Sequence, residues 1–103
     1  MKERLTEQLK NLAAEFLRYH GNLTSLITVT NVMLSKDEKS ATIFFTVFPD
    51  SYEKTALEFA KRKRSEFKQY IRDKSVIGRI PFIDFAIDVG EKNRQRIDEL
   101  TTE

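Results

Sequence analysis

The sequence predicts a two-layer α+β domain, with helices on one face of a three-stranded sheet, in the order helix, strand, strand, long or broken helix, strand. Three observations lead to this. Apolar residues recur at helical spacing near the N-terminus, two β-rich runs flank a short polar turn, and a second helical pattern stops at a glycine before an alternating run. With 103 residues there is room for one compact domain, taken as 1–103, and 40% hydrophobic content with eight Phe can build its core.

Leu5, Leu9, Leu12, Ala13 and Phe16 share one stripe, while Lys2, Glu3, Glu7, Lys10, Asn11 and Arg18 turn away. That pattern predicts an amphipathic helix of about five turns, stopped at Gly21-Asn22. Leu26 to Leu34 and Ala41 to Phe48 read as the arms of a β-hairpin around the polar turn Ser35–Lys39. In the second arm Ala41, Ile43, Phe45 and Val47 share the core face. In the first, Ile27 and Val29 share a face and so do Val32 and Leu34, yet the step from 29 to 32 is odd. One extra residue near Thr30-Asn31, a β-bulge, restores the parity.

Pro49-Asp50-Ser51-Tyr52-Glu53 reads as a helix start, with Asp50 as N-cap and Glu53 completing a capping box. The helical pattern runs on to about Ile77 through Tyr52, Ala56, Phe59, Ala60, Phe67, Tyr70 and Ile71. Lys63 falls on the seam between its two apolar groups. A straight helix would aim that ammonium at the core, so either the stem snorkels outward or the helix bends between Ala60 and Phe67. The bend is the expectation adopted, with Lys63 and Arg64 pointing out at its corner. Gly78 and Pro81 end the helix. Ile83, Phe85 and Ile87 then face inward from a third strand, Asp84 and Asp88 solvate its outer face, and Ile97 and Leu100 pack back from a short closing helical turn.

Charge is unevenly placed along this frame. Between Lys61 and Arg79 lie eight basic and two acidic residues, a net +6 in a chain of net +2, so everything else sums to −4. Such segregation makes a one-signed surface that steers and holds a polyanion through phosphate contacts and counterion release. The bland alternative is a solvated helix face.

Most other chemistries are excluded by what is missing. Without Cys there is no disulfide framework, thiolate metal site or cysteine nucleophile. The lone histidine, His20, ends the first helix, where it suits the helix dipole. Asp84 and Asp88 stand ~13 Å apart along a strand, beyond the roughly 5–10 Å of glycosidic carboxylate pairs. The three glycines sit at element ends and form no phosphate loop. The expectation is therefore no enzyme, no metal, no cofactor and no small-molecule substrate. Apolar runs of at most three residues and an N-terminus without an apolar stretch predict no membrane span and no signal peptide, hence a soluble, cytoplasmic protein. Phe44 and Phe48 give the second strand a faint likeness to the aromatic strand of an RNA recognition motif. The glycine, the basic residue and the element order of that motif are absent, so both rings are expected under the C-terminal segment or an adjacent loop.

Four blocks together resemble the bacterial ribosome-binding factor A family. They are Arg4 with Glu7-Gln8-Leu9; Thr28-Val29-Thr30-Asn31-Val32 leading into Leu34-Ser35-Lys36-Asp37 and on to Ala41-Thr42-Ile43-Phe44; Pro81, Ile83, Phe85 and Asp88; and Arg96-Ile97-Asp98-Glu99-Leu100. The likeness spans about residues 4–100. It departs at Gly21-Asn22-Leu23-Thr24, where the family has an Asp-Pro-Arg turn, and at Lys63 and Ser65, where it has an alanine-x-glycine kink. The resemblance implies a type II KH-like fold, ordered α-β-β-α-(kink)-α-β, and a monomeric partner of the small ribosomal subunit. That partner would bind its 16S rRNA and assist 30S maturation and rRNA processing. The residues expected on RNA phosphates are Arg62, Lys63, Arg64, Lys68, Arg72, Lys74 and Arg79. Two alternatives stay open: a general KH-like RNA-binding module without ribosome attachment, and a protein-interaction domain using the sheet edge or the Phe44/Phe48 patch.

Overall fold

A computed structural model describes residues 2–20 and 26–94, the side chains of Lys2, Glu3 and His20 excepted. Helix α1 (Lys2–His20) is followed by strands β1 (Leu26–Leu34) and β2 (Ser40–Phe48), a 3₁₀ turn (Asp50–Tyr52), helices α2 (Glu53–Arg62) and α3 (Arg64–Lys74), and strand β3 (Phe82–Ile87). Residues 89–94 begin a further helix, α4. The sheet order is β1-β2-β3; β1 and β2 are antiparallel, while β2 and β3 are parallel and joined through the two helices.

The core stripe of α1 is as its periodicity predicts. Leu9, Ala13, Phe16 and Leu17 are buried, with Leu5 and Leu12 packed at the margin. They meet Val32 of β1, the inward row Ala41, Ile43, Phe45 and Val47 of β2, and Ile83 and Phe85 of β3. From the helix pair come Ala56, Ala60, Phe67 and Ile71. Phe67 links the layers: its ring centroid lies 5.1 Å from that of Phe16 and 5.8 Å from that of Phe85.

Both sequence irregularities are real features. The β1–β2 register shifts between Val29 and Asn31, leaving Thr30 as the extra residue. The bulge aims the Thr30 hydroxyl at Asp88, to whose Oδ2 it donates at 2.5 Å. The second irregularity is the end of α2 at Arg62 and the start of α3 at Arg64, with Lys63 between them at φ −93°, ψ 9°. The chain therefore bends where an apolar stripe would otherwise have buried an ammonium.

Other expectations need correction. Asp50 and Glu53 form no capping box: Asp50 starts the 3₁₀ turn and α2 has no side-chain N-cap bond. Their carboxylates face Lys92 of α4 instead, whose Nζ is 3.9 Å from Asp50 and 3.0 Å from Glu53. Helix α3 stops at Lys74 and not near Ile77, because Ser75 turns extended and its hydroxyl donates to the Ile71 carbonyl at 2.7 Å. Phe44 is half-buried, but Phe48 is 69% exposed beside its cross-strand neighbour Leu26 and is not covered. Gly21-Asn22, the His20 side chain, Ile97, Leu100 and the closing motif 96–100 lie outside the described residues.

Asp88 is not solvation either. It accepts from Thr30, and its Oδ1 accepts the Glu91 N–H at 3.0 Å, making it the N-cap of α4. Those two bonds, the Thr30 hydroxyl first, hold its carboxyl below the ordinary value.

Candidate nucleic-acid interface

Helical geometry sorts the basic residues. On α3 the buried positions are Phe67 and Ile71. Arg64, Lys68 and Arg72, four apart, form a single stripe along one flank of that buried face, while Glu66 and Asp73 fall on the far side. Lys74 lies on the other flank, its ammonium 5.9 Å from the ring centroid of Tyr70, which in turn packs on Phe16 of α1. Arg62 lies across α2 from buried Ala56 and Ala60 and is exposed; Arg79 is exposed in the segment before β3.

The structure thus brings Arg64, Lys68 and Arg72 onto one stripe, whereas Arg62 and Lys74 lie on other faces of their helices and Arg79 in the segment before β3. Lys61, which was not among the expected contacts, joins the group. Its Nζ lies 3.4 Å from Asp84 Oδ1, and Arg64 Nη1 donates to the same oxygen at 3.3 Å. Asp84 therefore does more than solvate the outer strand face: one carboxylate on edge strand β3 ties down the end of α2 and the start of α3. Burial pushes its carboxyl up, but the Phe85 N–H, Lys61 and Arg64 together outweigh that and hold it below its ordinary value.

Lys63 is also engaged. It is half-buried, 5.8 Å from the Phe59 ring centroid, and pairs with Glu66 at 3.3 Å. Glu66 lies in the first turn of α3, where a carboxylate complements the helix dipole. Neither Lys63 nor Arg64 extends freely from the corner as expected. Among the described residues Arg62, Lys68 and Arg79 have no ion-pair partner.

Between the α3 stripe and the start of β3 runs an open groove of about 270 Å³, lined by Arg64, Ser65, Lys68, Pro81, Phe82 and Ile83. Pro81 and Ile83 are buried and make an apolar floor; Phe82 is 63% exposed. The Arg64 guanidinium stands 5.6 Å from the Phe82 ring centroid. Phe82 escaped the sequence reading because the strand's alternation marks it only as an outward residue. The available signal was an aromatic outward residue at the mouth of the basic segment.

Among the described residues there is no group of His, Cys, Asp and Glu that could hold a metal ion, and no helix long and apolar enough to cross a membrane. The chemistry on offer is cationic and aromatic.

A family model of ribosome-binding factor A matches residues 1–101. Ribosome-binding factor A of Thermobifida fusca is 28% identical over 100 residues, a match taking in 94% of this chain and 66% of that relative. The chain therefore spans slightly less than two thirds of the relative's length. The crystal structure of ribosome-binding factor A from Thermus thermophilus superposes with a TM-score of 0.74 at 27% identity, over 84% of this chain and 94% of that one. A Thermus thermophilus ribosome-binding factor A homology model, fitted into a cryo-EM map of its complex with 30S, gives a TM-score of 0.69 at 26% identity, over 79% of this chain and 88% of that one.

Proposed function

This chain belongs to the ribosome-binding factor A family, and we propose that it binds the ribosomal RNA of the maturing small subunit and assists 30S maturation and 16S rRNA processing. In this reading it is a cytoplasmic, monomeric, non-enzymatic assembly factor. The observation that supports it is the stripe Arg64–Lys68–Arg72 beside the α2–α3 break, with Lys61 next to it through Asp84 and Arg62, Lys74 and Arg79 exposed on the same basic segment. Exposed cations at helical spacing neutralise successive phosphates; they position a polyanion without reading its sequence. The relative fitted into a 30S complex shares this fold and supports the same partner.

A protein-interaction surface is the second reading, favoured by the exposed cross-strand pair Leu26 and Phe48. Co-sedimentation with small subunits and with mature ribosomes, over a salt series, tests both. The proposal expects association with small subunits that weakens steeply with salt and is lost when Lys68 and Arg72 are changed to Glu. Salt-insensitive association that survives those changes would support the protein surface, and retention by free RNA alone would support a general RNA-binding module.

A further inference from the structure

We propose that Phe82 and Arg64 form a stacking site for one unpaired nucleobase of the bound RNA, with Lys68 holding the adjoining phosphate; this rests on the RNA-binding reading above. Electrostatic docking alone asks for cations. It does not ask for a large ring, 63% exposed, in the middle of the cationic surface. An A-form duplex presents phosphates and 2′-hydroxyls outward and keeps its base faces stacked inside, so it offers nothing to such a ring. A splayed-out base offers a π-face, and stacking tolerates any base.

The groove has the parts for this. Buried Pro81 and Ile83 give it an apolar floor, Phe82 an aromatic wall, and Arg64 and Lys68 a cationic wall. Both walls are held. The Phe82 N–H donates to the Lys39 carbonyl at 2.8 Å, anchoring the strand start to the β1–β2 turn. Asp84 pairs with Arg64 at 3.3 Å, and the guanidinium stands 5.6 Å from the ring centroid before any ligand arrives. Asp84 acts here as a positioning residue. Phe48, the other strongly exposed phenylalanine, has Leu26 as its cross-strand neighbour and lines no part of this groove.

The test compares a single-stranded RNA oligomer, an abasic ribose-phosphate oligomer of the same length, and a duplex RNA. Phe82→Ala is expected to weaken binding of the single strand by about 5- to 150-fold, the range of one lost base stack. Duplex and abasic binding and the salt slope should stay unchanged, because no charge is altered. Phe82→Tyr should retain affinity, whereas Phe82→Leu, apolar but without a π-face, should not. The chain has no Trp, so Phe82→Trp supplies a single indole whose fluorescence the single strand should quench and the abasic oligomer should not. Equal losses on all three ligands, or full retention by Phe82→Ala, would overturn the stacking site and leave electrostatic docking standing. No binding of any of the three by the parent chain would overturn both.

Discussion

Asp84 and Arg64 meet across twenty residues of sequence, guanidinium to carboxylate at 3.3 Å, and Lys61 shares the same oxygen. Two cations of the basic segment are thereby held against the sheet edge by a single negative charge. The carboxylate competes directly with any phosphate approaching that corner.

Replacing it exposes that competition. Each partner in both pairs is about two fifths exposed, so Asp84→Asn should change folding stability by less than ~1 kcal/mol. Affinity for a duplex RNA, which makes no stack with Phe82, should rise, and its salt dependence should steepen by about 0.7–0.9 if one further phosphate is neutralised. Denaturant melts and a salt titration of binding check the two halves; an unchanged slope would mean that the freed cation reaches no phosphate.

Five phosphate contacts, from Arg62, Lys68, Arg72, Lys74 and Arg79, give an expected slope of log K against log salt of about −3.5 to −4.5. Changing Lys68 and Arg72 together to Glu should flatten it by about 1.4–1.8. Both are exposed, so stability should stay within about 0.5 kcal/mol of the parent. This pair is a cleaner choice than one containing Arg64, where Glu would confront Asp84 and disturb the corner itself.

Asp88 predicts a pH dependence. Its folded carboxyl lies below the ordinary 3.8, so its charge contributes stability fully above that value and loses the contribution as pH falls through the folded one. Asp88→Asn should melt lower than the parent near neutral pH, and the gap should close well below 3.8. Asp88→Ala, which also removes the cap acceptor of α4, should cost about 1–2 kcal/mol at neutral pH. Thermal melts of the three proteins at both pH values decide it.

Glu38 holds a positive φ of 59° in the β1–β2 turn, a conformation an L side chain resists and glycine accepts. The turn's bonds at this residue are main-chain, from the Glu38 N–H to the Ser35 carbonyl. Glu38→Gly should therefore stabilise the domain by about 0.5–1 kcal/mol, measured by denaturant titration.

Local pattern revealed most of the frame. Leu9, Ala13 and Phe16 at helical spacing located α1, the broken parity between Val29 and Val32 located the bulge, and a lysine on an apolar seam located the break at 63. Features that depend on distant partners stayed hidden. Asp50 and Glu53 look like a capping box until Lys92, 39 residues beyond Glu53, draws both carboxylates away. Asp84 and Asp88 look like solvated outward residues because alternation says nothing of the Arg64 or Thr30 that fold back onto them. The candidate surface was visible as a charge count. Which of its cations are already occupied, and that Phe82 stands among them, follow from the crossover that lays α3 beside β3.

The break at Lys63 uses neither glycine nor proline; no such residue occurs from Ser51 to Ile77. Lys63 turns the chain at negative φ, and Ala60 and Phe67 on either side are fully buried. The corner is therefore built without the extra backbone freedom that a glycine would bring. A ligand that docks there meets a shape set before contact, so the entropy of ordering falls on the ligand, and a floppy strand surrenders more of its binding energy than one already held in shape by its surroundings.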